Sequence, residues 1–392
     1  MLQVVLDCRV LTPGPGSEET PDWTLKIVAS NTHLRGFSLL SGTESSTYGV
    51  YFSDGASGGQ VSGCWFGLSP DQQILSGGEV ALAAYGTAGG HVFGSNLDGT
   101  DDPAEINVIV AHAIGVQFEE TRDIRVQHNL IGVMPDGRSL PPAAIRDALE
   151  GDALEGGDLA GTITVRRNLI GGMRGDVVEF YGSAERLVLV ENHIGLAPDG
   201  STPLPNGNFL RVREIQAVVG PAAVAGPDAV YGLGNVLAHH SGYLFRHSLP
   251  GTRILHRANR LVENTGVLAA NLGNSLAGLR LGREVDLAPL LGADSTRALL
   301  RGGIPLAGPG PGGLSAAVID LYQAEPGPDP EHPRILRWLA AFTEGGAADR
   351  DPGPGTFAFD LSGVAGLDEA SHLAVTVILE DASGSDTSPF SA

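Results

Sequence analysis

The sequence predicts an all-β fold, a solenoid of stacked short strands followed by a small β-sandwich. Three observations lead to this class. One phrase, an apolar residue followed by Ile or Phe, Gly, three variable residues and Asp-Gly or Asp-Gln, recurs every 24 to 39 residues, a spacing typical of repeat architectures. Short β-branched segments alternate with Gly, Asn and Asp turns. Helical periodicity is nearly absent before residue 300, so helical crossovers do not join the strands.

The repeated phrase is clearest at NLIGVMPDG, residues 129–137, and at NHIGLAPDG, residues 192–200. Further copies begin at Cys64 and His91, and a truncated copy begins at Asn168. The Pro-Asp-Gly endings suit a tight turn, because Pro sets φ, Asp caps the turn and Gly takes the left-handed position. The phrase is therefore predicted to be mainly architectural.

Asparagines at the start of three copies predict an internal ladder. In a right-handed parallel β-helix each coil lies beside the next, and one inward Asn per coil can bond to backbone groups and to the Asn above it. The Ile or Phe two places later is expected to face the core, and the following Gly allows a corner φ that a β-carbon would resist. The residues assigned to the ladder and corners are Asn129, Asn168, Asn192, Gly132, Gly171 and Gly195.

Composition restricts the partners. The net charge is −21 and Lys26 is the sole lysine, so the surface should repel nucleic acid and anionic membranes. No segment approaches the ~18 consecutive apolar residues of a membrane span. Two cysteines, Cys8 and Cys64, are too few for a disulfide framework or a structural zinc site, and whether they pair stays open. The N-terminus lacks the pattern of a signal peptide, so the protein is cytosolic unless an export signal preceded Met1.

From about residue 24 to 265 the chain resembles the right-handed parallel β-helix repeat proteins of bacterial surfaces and secretomes. The resemblance rests on Asn-Leu-Ile-Gly followed by Asp-Gly, with GNV at 234–236 and VVG at 218–220 between the copies. Many of these proteins end in a small immunoglobulin-like sandwich, and the ending TSPFS at 387–391 is similar, although Pro389 replaces the expected acidic residue. The resemblance implies an extracellular or cell-surface location and a structural, adhesive or filament-forming role.

The predicted domains are a β-helix at residues 1–313 and a sandwich at 314–392 that can cover the open last coil. The boundary is placed in the Pro/Gly-rich stretch 306–313. Residues 143–154 are expected to form a short helix or an excursion from the array. With ~24 residues per coil, about a dozen coils would form a rod roughly 60 Å long.

Two surface stretches are candidate binding sites. Tyr48 and Tyr51 lie among polar residues at 41–59 and would suit stacking against a sugar, although this stretch can equally supply core residues. The second stretch, 97–107, holds four carboxylates in a glycine-containing loop, which would suit Ca²⁺; the alternative is a solvated acidic turn. No other cofactor is predicted. The carboxylates of this acidic loop are Asp98, Asp101, Asp102 and Glu105.

The favoured function is a non-catalytic module that binds polysaccharide, other protein chains or copies of itself. The alternative is a polysaccharide lyase or glycoside hydrolase, since β-helices often host these enzymes. Pectin hydrolases of this fold carry Asn-Thr-Asp, Asp-Asp, Gly-His-Gly and Arg-Ile-Lys, and here only Asp101-Asp102 matches. Carboxylates from different coils can still meet in the folded chain. No cleavage of pectic, alginate or other uronic-acid polymers is expected.

Overall fold

The computed structural model describes residues 4–9, 23–41, 48–86, 88–143, 145, 151–182, 184, 186–221, 234–247, 252–265, 269–270, 285–286, 299–303, 316–325, 334–351, 353, 356–365, 367, 372–381 and 384–387. Within this part almost all regular structure is strand, and Asp102–Glu105 forms a short 3-10 helix. The predicted helix at 143–154 falls largely outside these ranges, and Leu154 begins a strand. No helix of the described residues is long and apolar enough to span a membrane.

Three parallel sheets, called A, B and C, run through the first 270 residues, and successive strands enter them in rotation. Sheet A contains β1 (Val4–Asp7), β4 (Phe37–Leu40), β7 (Trp65–Phe66), β10 (Val108–Ile109), β13 (Leu130–Ile131), β16 (Leu169–Ile170), β19 (His193–Ile194), β22 (Val236–Ala238) and β25 (Arg260–Val262). Sheet B contains β2 (Trp23–Ile27), β5 (Tyr48–Phe52), β8 (Val80–Tyr85), β11 (Ile114–Glu119), β14 (Leu154–Gly157), β17 (Asp176–Tyr181), β20 (Asn208–Arg213), β23 (Phe245–His247) and β26 (Ala269–Ala270). Sheet C contains β3 (His33–Arg35), β6 (Gln60–Ser62), β9 (Val92–Gly94), β12 (Arg125–Gln127), β15 (Thr162–Arg166), β18 (Arg186–Val190), β21 (Gln216–Val219) and β24 (Arg253–His256).

This topology is a right-handed parallel β-helix, so the predicted fold class is confirmed. The expected dozen coils is too many for the described residues, in which sheets A and B hold nine strands each. At a strand spacing of ~4.8 Å the stack is about 40 Å long. The expected number of coils was too high because the coils differ in length. Successive ladder positions lie 43, 22, 39, 24, 43 and 24 residues apart.

The core lies between the three sheets and is built from one or two apolar side chains per strand. In sheet A the inward residue is the Ile or Phe of the repeated phrase, and Phe66, Ile131, Ile170 and Ile194 are almost completely buried. Sheet B adds pairs such as Val178 and Phe180 on alternate positions of one strand. Since side chains alternate between faces of a strand, each residue between such a pair points outward.

Hairpins made from the repeated phrase fold back over the outside of sheet A. Antiparallel bridges close two of them, between Leu68 and Leu75 and between Leu196 and Pro203. Their apolar side chains form small clusters with the outward residues of sheet A, for example Leu204 with Leu169. The phrase therefore supplies both a core residue and a cover for the outer surface of this sheet.

The corner glycines differ in their backbone conformations. Gly132 and Gly195 have φ values of 70° and 84°, and a β-carbon on Gly195 would lie 1.7 Å from the carbonyl oxygen of Ala238 in the next coil. Gly171 does not have a positive φ; the left-handed residue at this corner is the next one, Gly172, at 80°. At Gly171 the constraint is space, because a β-carbon would lie 2.6 Å from the Cβ of Leu204.

The C-terminal part is a β-sandwich of two antiparallel sheets. One contains β27 (Val285–Asp286), β28 (Leu299–Gly303) and β31 (Thr356–Asp360), and the other contains β29 (Ala316–Glu325), β30 (Arg334–Thr343), β32 (His372–Asp381) and β33 (Gly384–Thr387). The predicted boundary at residue 313 lies outside the described residues. However, β28 precedes it and pairs with β31, so the change of architecture occurs before Leu299.

The sandwich covers one end of the solenoid. Tyr322 and Trp338 join the continuous hydrophobic core of the coils, and the Tyr322 hydroxyl accepts a 3.2 Å hydrogen bond from the backbone N–H of Ala258. Beside them Arg257 donates two 2.7 Å hydrogen bonds to Asp320, whose carboxylate is fully buried and also accepts 3.1 Å from the Trp338 indole N–H. These contacts fix the sandwich on the coil at 252–265.

Candidate functional site

The asparagines predicted for the ladder lie in one buried column between sheets C and A. The side-chain N–H of Asn129 donates 2.9 Å to the side-chain oxygen of Asn168, and the side-chain N–H of Asn168 donates 3.1 Å to the side-chain oxygen of Asn192. Each side chain also donates to a backbone carbonyl of sheet C, as Asn168 does to Val126 at 2.9 Å. The same bonds extend the column through residues that sequence reasoning did not assign, Asn107, Asn235 and Asn259.

The column also shows which copies of the phrase are equivalent. Cys64 occupies a ladder position, where its backbone N–H donates 3.0 Å to the side chain of Asn107. The copy at His91 is not equivalent, because Val92–Gly94 belongs to sheet C and not to sheet A.

Both cysteines are free thiols, with Cys64 buried and Cys8 partly buried. The ladder is structural and offers no surface to a ligand.

The four carboxylates of the acidic loop do not converge, which corrects the candidate calcium site. Asp98 accepts 2.7 Å from the backbone N–H of Thr100 and Asp102 accepts 2.9 Å from the hydroxyl of Ser95, both within the loop, whereas Glu105 is buried beside Arg35 of another coil. Asp101 is exposed. Among the residues the structure describes, no group of three or more His, Cys, Asp or Glu side chains is arranged to hold a metal ion.

The outward side chains of sheet B form a continuous surface, which we call the sheet B face. Its central row is defined by strand register, one residue per coil, and runs from an aromatic end through carboxylates to an arginine end. The row consists of Lys26, Tyr51, Ala83, Gln117, Glu155, Glu179, Arg211 and Arg246. A second row beside it holds Tyr85, Glu119, Tyr181 and Arg213.

Four half-buried aromatic rings form a platform at one end of the sheet B face. Trp23 stacks on Tyr51 with ring centroids 5.7 Å apart, and Tyr48 and Tyr85 pack against Tyr51 at 5.7 and 5.3 Å. The ammonium group of Lys26 lies 4.2 Å from the centroid of Trp23, a cation–π contact. The predicted pair Tyr48 and Tyr51 is thus brought together within a larger platform. Sequence reasoning missed Trp23 and Tyr85, which come from other coils.

An open cleft of about 430 Å³ adjoins this platform. Its walls are Tyr85, Gly86, Asp54, Glu119 and Glu120. The Tyr85 hydroxyl donates 2.7 Å to the side chain of Gln117 in the next coil, so the polar row begins directly where the aromatic rings end. The platform and the polar row therefore form one extended site.

Carboxylates and arginines meet in the middle of the sheet B face. Arg211 donates 3.0 Å and Arg213 donates 3.3 Å to the carboxylate of Glu179. Glu155 lies beside Glu179 in the register of neighbouring strands, and the described residues give its carboxyl group no hydrogen-bond donor. The hydroxyl of Tyr181 donates 3.1 Å to Glu119. Positive and negative groups are thus sorted by coil along the face.

A second acidic pair lies at the start of the strands, next to the central row. The hydroxyl of Tyr243 donates to the carboxylate of Asp176, and Arg211 lies 3.9 Å from that carboxylate. The carboxyl of Asp152 accepts 2.6 Å from the backbone N–H of Asp176. These contacts connect four successive coils at the edge of the sheet B face.

Burial changes the acidity of these groups. It raises the pKa of Glu155, and the neighbouring carboxylates of Glu179, Glu119 and Glu79 raise it further. Burial and the neighbouring Asp176 also raise the pKa of Glu179, and the guanidinium groups of Arg211 and Arg213 offset only part of that rise. Two adjacent carboxyl groups therefore have unlike surroundings, one among anions and one held by cations.

The burial of the Asp152 carboxyl group predicts that the stability of the protein depends on pH in a specific way. Burial raises its pKa from 3.8 to about 7. The unfolded side chain ionises first as pH rises, so folding is penalised progressively between about pH 4 and 7 and fully above pH 7. Asp152→Asn mimics the neutral acid and keeps the bond from the Asp176 N–H. As the pH rises from 4 to 8, we expect the free energy of unfolding of Asp152→Asn to increase by about 1–2 kcal/mol relative to that of the wild type, allowing for solvent screening.

The measurement is chemical denaturation of both proteins across this pH range. Asp98→Asn is the control of opposite sign, because the hydrogen bond from the Thr100 N–H lowers the pKa of Asp98 and its ionised form is the stabilised one. A constant difference between wild type and Asp152→Asn at all pH values would show that Asp152 ionises normally.

The sheet B face had a weak signal in the sequence. Gln117, Glu155, Glu179 and Arg211 each follow a buried apolar residue in the middle of their strand. Their equivalence is visible only after the coils are aligned on the ladder asparagines, and insertions of different length between those asparagines hide the alignment.

The architecture and this surface define the class of molecule, a parallel β-helix with one polar and aromatic outer face. Neither a scan against models of known protein families nor a search of curated proteins found a match to the chain.

Proposed function

We propose that this chain is a polysaccharide-binding β-helix module, with the sheet B face as its binding surface. The observation that carries the proposal is the platform of Trp23, Tyr48, Tyr51 and Tyr85 in line with a row of polar side chains. Flat aromatic rings can bury the apolar faces of sugar rings, and carboxylates and amides accept hydrogen bonds from sugar hydroxyls. The face therefore matches the two kinds of surface that a sugar chain presents.

The shape of the site favours a polymer over a single sugar. The row is continuous over eight coils from Lys26 to Arg246, and neighbouring strands are ~4.8 Å apart, so the face is more than 30 Å long. An extended chain can use repeated contacts along this length. In this proposal the protein is displayed outside the cell, where such polymers occur, and the β-helix serves as a rigid support for the binding row.

The charge of the face favours neutral or amino sugars. Glu119, Asp152, Glu155, Asp176 and Glu179 concentrate negative charge in its middle, which would repel uronic acids. Neutral glucans, xylans, mannans and polymers of N-acetylglucosamine satisfy the same hydrogen-bond acceptors without that repulsion. We therefore expect pectate and alginate to bind more weakly than neutral polymers.

The test is calorimetric titration with soluble oligosaccharides of glucose, xylose, mannose and N-acetylglucosamine. Removing a ring by Tyr51→Ala is expected to weaken binding roughly 5- to 30-fold, because an aromatic contact contributes on the order of 1–2 kcal/mol. Tyr51→Phe keeps the ring and serves as the matched control, with affinity close to wild type. Absence of binding to all four classes, or equal affinity of Tyr51→Ala and wild type, would refute the proposal.

A further inference from the structure

The centre of the sheet B face holds two carboxyl groups with different partners. Glu155 and Glu179 are register neighbours on parallel strands, which places them about 5 Å apart. Glu179 is fixed from one side by Arg211 and Arg213, at 2.9 and 3.3 Å. Glu155 extends from the preceding coil and has no donor among the described residues, so its carboxyl is free to meet a ligand. Two guanidinium groups hold Glu179, whereas Glu155 has no such partner among the described residues.

We propose that Glu155 and Glu179 hydrolyse a glycosidic bond in the polysaccharide bound on this face. The inference rests on the proposed binding function, since the substrate must lie along the row between the platform and the arginines. Glu155 acts as the general acid and Glu179 as the nucleophile. Attack of Glu179 on the anomeric carbon is the first half of the double-displacement route, which retains the configuration at that carbon.

The reaction balances with water as the only co-reactant. In the first step Glu155 gives its proton to the glycosidic oxygen, the bond from this oxygen to the anomeric carbon breaks, and a carboxylate oxygen of Glu179 forms an ester to that carbon. The shortened chain leaves with a new hydroxyl group. In the second step water attacks the anomeric carbon, the ester bond breaks, and Glu155 takes a proton from the water. Both glutamates then return to their starting forms.

Each neighbouring group has a role that fits this assignment. Arg211 and Arg213 orient the carboxyl group of Glu179 and oppose the rise in its pKa that burial causes, so they are positioning residues. Glu119 lies diagonally beside Glu155 on the adjacent strand and is held by the Tyr181 hydroxyl, which keeps a second negative group next to the acid. Such a neighbour favours the protonated form of Glu155.

The substrate class follows from the charge at the point of cleavage. A sugar at this point would lie against five carboxyl groups, so a uronate would be repelled, and a neutral or N-acetylated sugar is the expected unit. The aromatic platform would hold the part of the chain on the Tyr85 side, and the arginine end would contact its hydroxyls on the other side.

The experiment compares turnover and binding in the same proteins. Wild type is incubated with neutral glucan, xylan, mannan and N-acetylglucosamine polymers, and new reducing ends are measured with the anomeric configuration of the product followed by proton NMR. Glu155→Gln and Glu179→Gln are each expected to lower turnover at least 100-fold while oligosaccharide binding remains. Glu263→Gln, an exposed carboxylate outside the sheet B face, is the control and should leave turnover unchanged.

Two chemical rescues distinguish these roles from a structural effect. An aryl glycoside with an acidic leaving group needs no proton in the first step, so Glu155→Gln should keep formation of the glycosyl ester on that substrate. Azide should restore turnover in Glu179→Gly by replacing the nucleophile and should yield a glycosyl azide of inverted configuration. Oligosaccharide binding by wild type without any new reducing ends would overturn the catalytic inference and leave the binding proposal intact. Absence of binding would instead refute the proposed function.

Discussion

Asn168→Leu is expected to destabilise the protein by about 3–5 kcal/mol. The oxygen of Asn168 accepts hydrogen bonds from the backbone N–H and the side chain of Asn129, and its own N–H groups donate to Val126 and Asn192. Leucine removes all of these bonds at once inside a column closed to water. Each buried donor or acceptor left without a partner costs about 1–3 kcal/mol, so the loss exceeds that of a single hydrogen bond.

The free energy of unfolding can be measured by denaturant titration followed by circular dichroism. Asn96→Ala is a suitable control, because Asn96 is exposed and bonds only within its own loop among the described residues, and its replacement should cost less than 1 kcal/mol. If Asn168→Leu were as stable as the control, the ladder would contribute nothing to the fold.

Asp320→Ala is expected to cost about 3–5 kcal/mol by leaving the guanidinium of Arg257 buried beneath the sandwich without its anion. The Arg257 side chain is 13% exposed and Asp320 is 0% exposed, so solvent cannot replace the lost carboxylate. Breaking one partner of a buried pair usually costs more than the pair contributes, because the remaining charge keeps its desolvation penalty. The indole N–H of Trp338 would lose its acceptor as well.

A double variant separates the penalty of an unpaired charge from the contribution of the pair. Arg257→Met combined with Asp320→Leu removes both charges and should be clearly more stable than Asp320→Ala alone. Thermal unfolding of the wild type and the single and double variants gives the coupling energy. Equal stability of Asp320→Ala and the double variant would show that Arg257 reaches solvent when its partner is removed.

Much of the fold could be predicted because its signals are local. The Asn, Ile and Gly of the repeated phrase act within one coil, and Asn129, Asn168 and Asn192 lie in the same column. Asn107 was not assigned because the residues after it do not follow the phrase, and the His91 copy was misleading because a phrase that fits sheet A can also occur in sheet C. A short motif specifies a local bend, whereas its position in the coil depends on the insertions before it.

The candidate site could not be predicted because it is built across coils. Glu155 and Glu179 are 24 residues apart in sequence and adjacent in register, while Trp23 and Tyr85 meet Tyr51 from opposite sides. The sequence around a single acidic or aromatic residue does not show which residues of other coils will lie beside it. By contrast, Asp98, Asp101, Asp102 and Glu105 are close in sequence, yet Asp98 and Asp102 bond within the loop while Asp101 and Glu105 lie near Arg35 of another coil, so proximity along the chain gave a candidate that the fold does not assemble.

The uneven spacing of the ladder asparagines has a consequence for protein engineering. A complete coil needs only 22 to 24 residues, and in longer coils the described hairpins, such as the one closed between Leu196 and Pro203, lie outside the three sheets. Register is set by the buried column, so the length of an external hairpin does not propagate to the next coil. A foreign peptide inserted at the tip of the hairpin between Leu196 and Pro203 should therefore be displayed on the side of sheet A without disturbing the sheet B face.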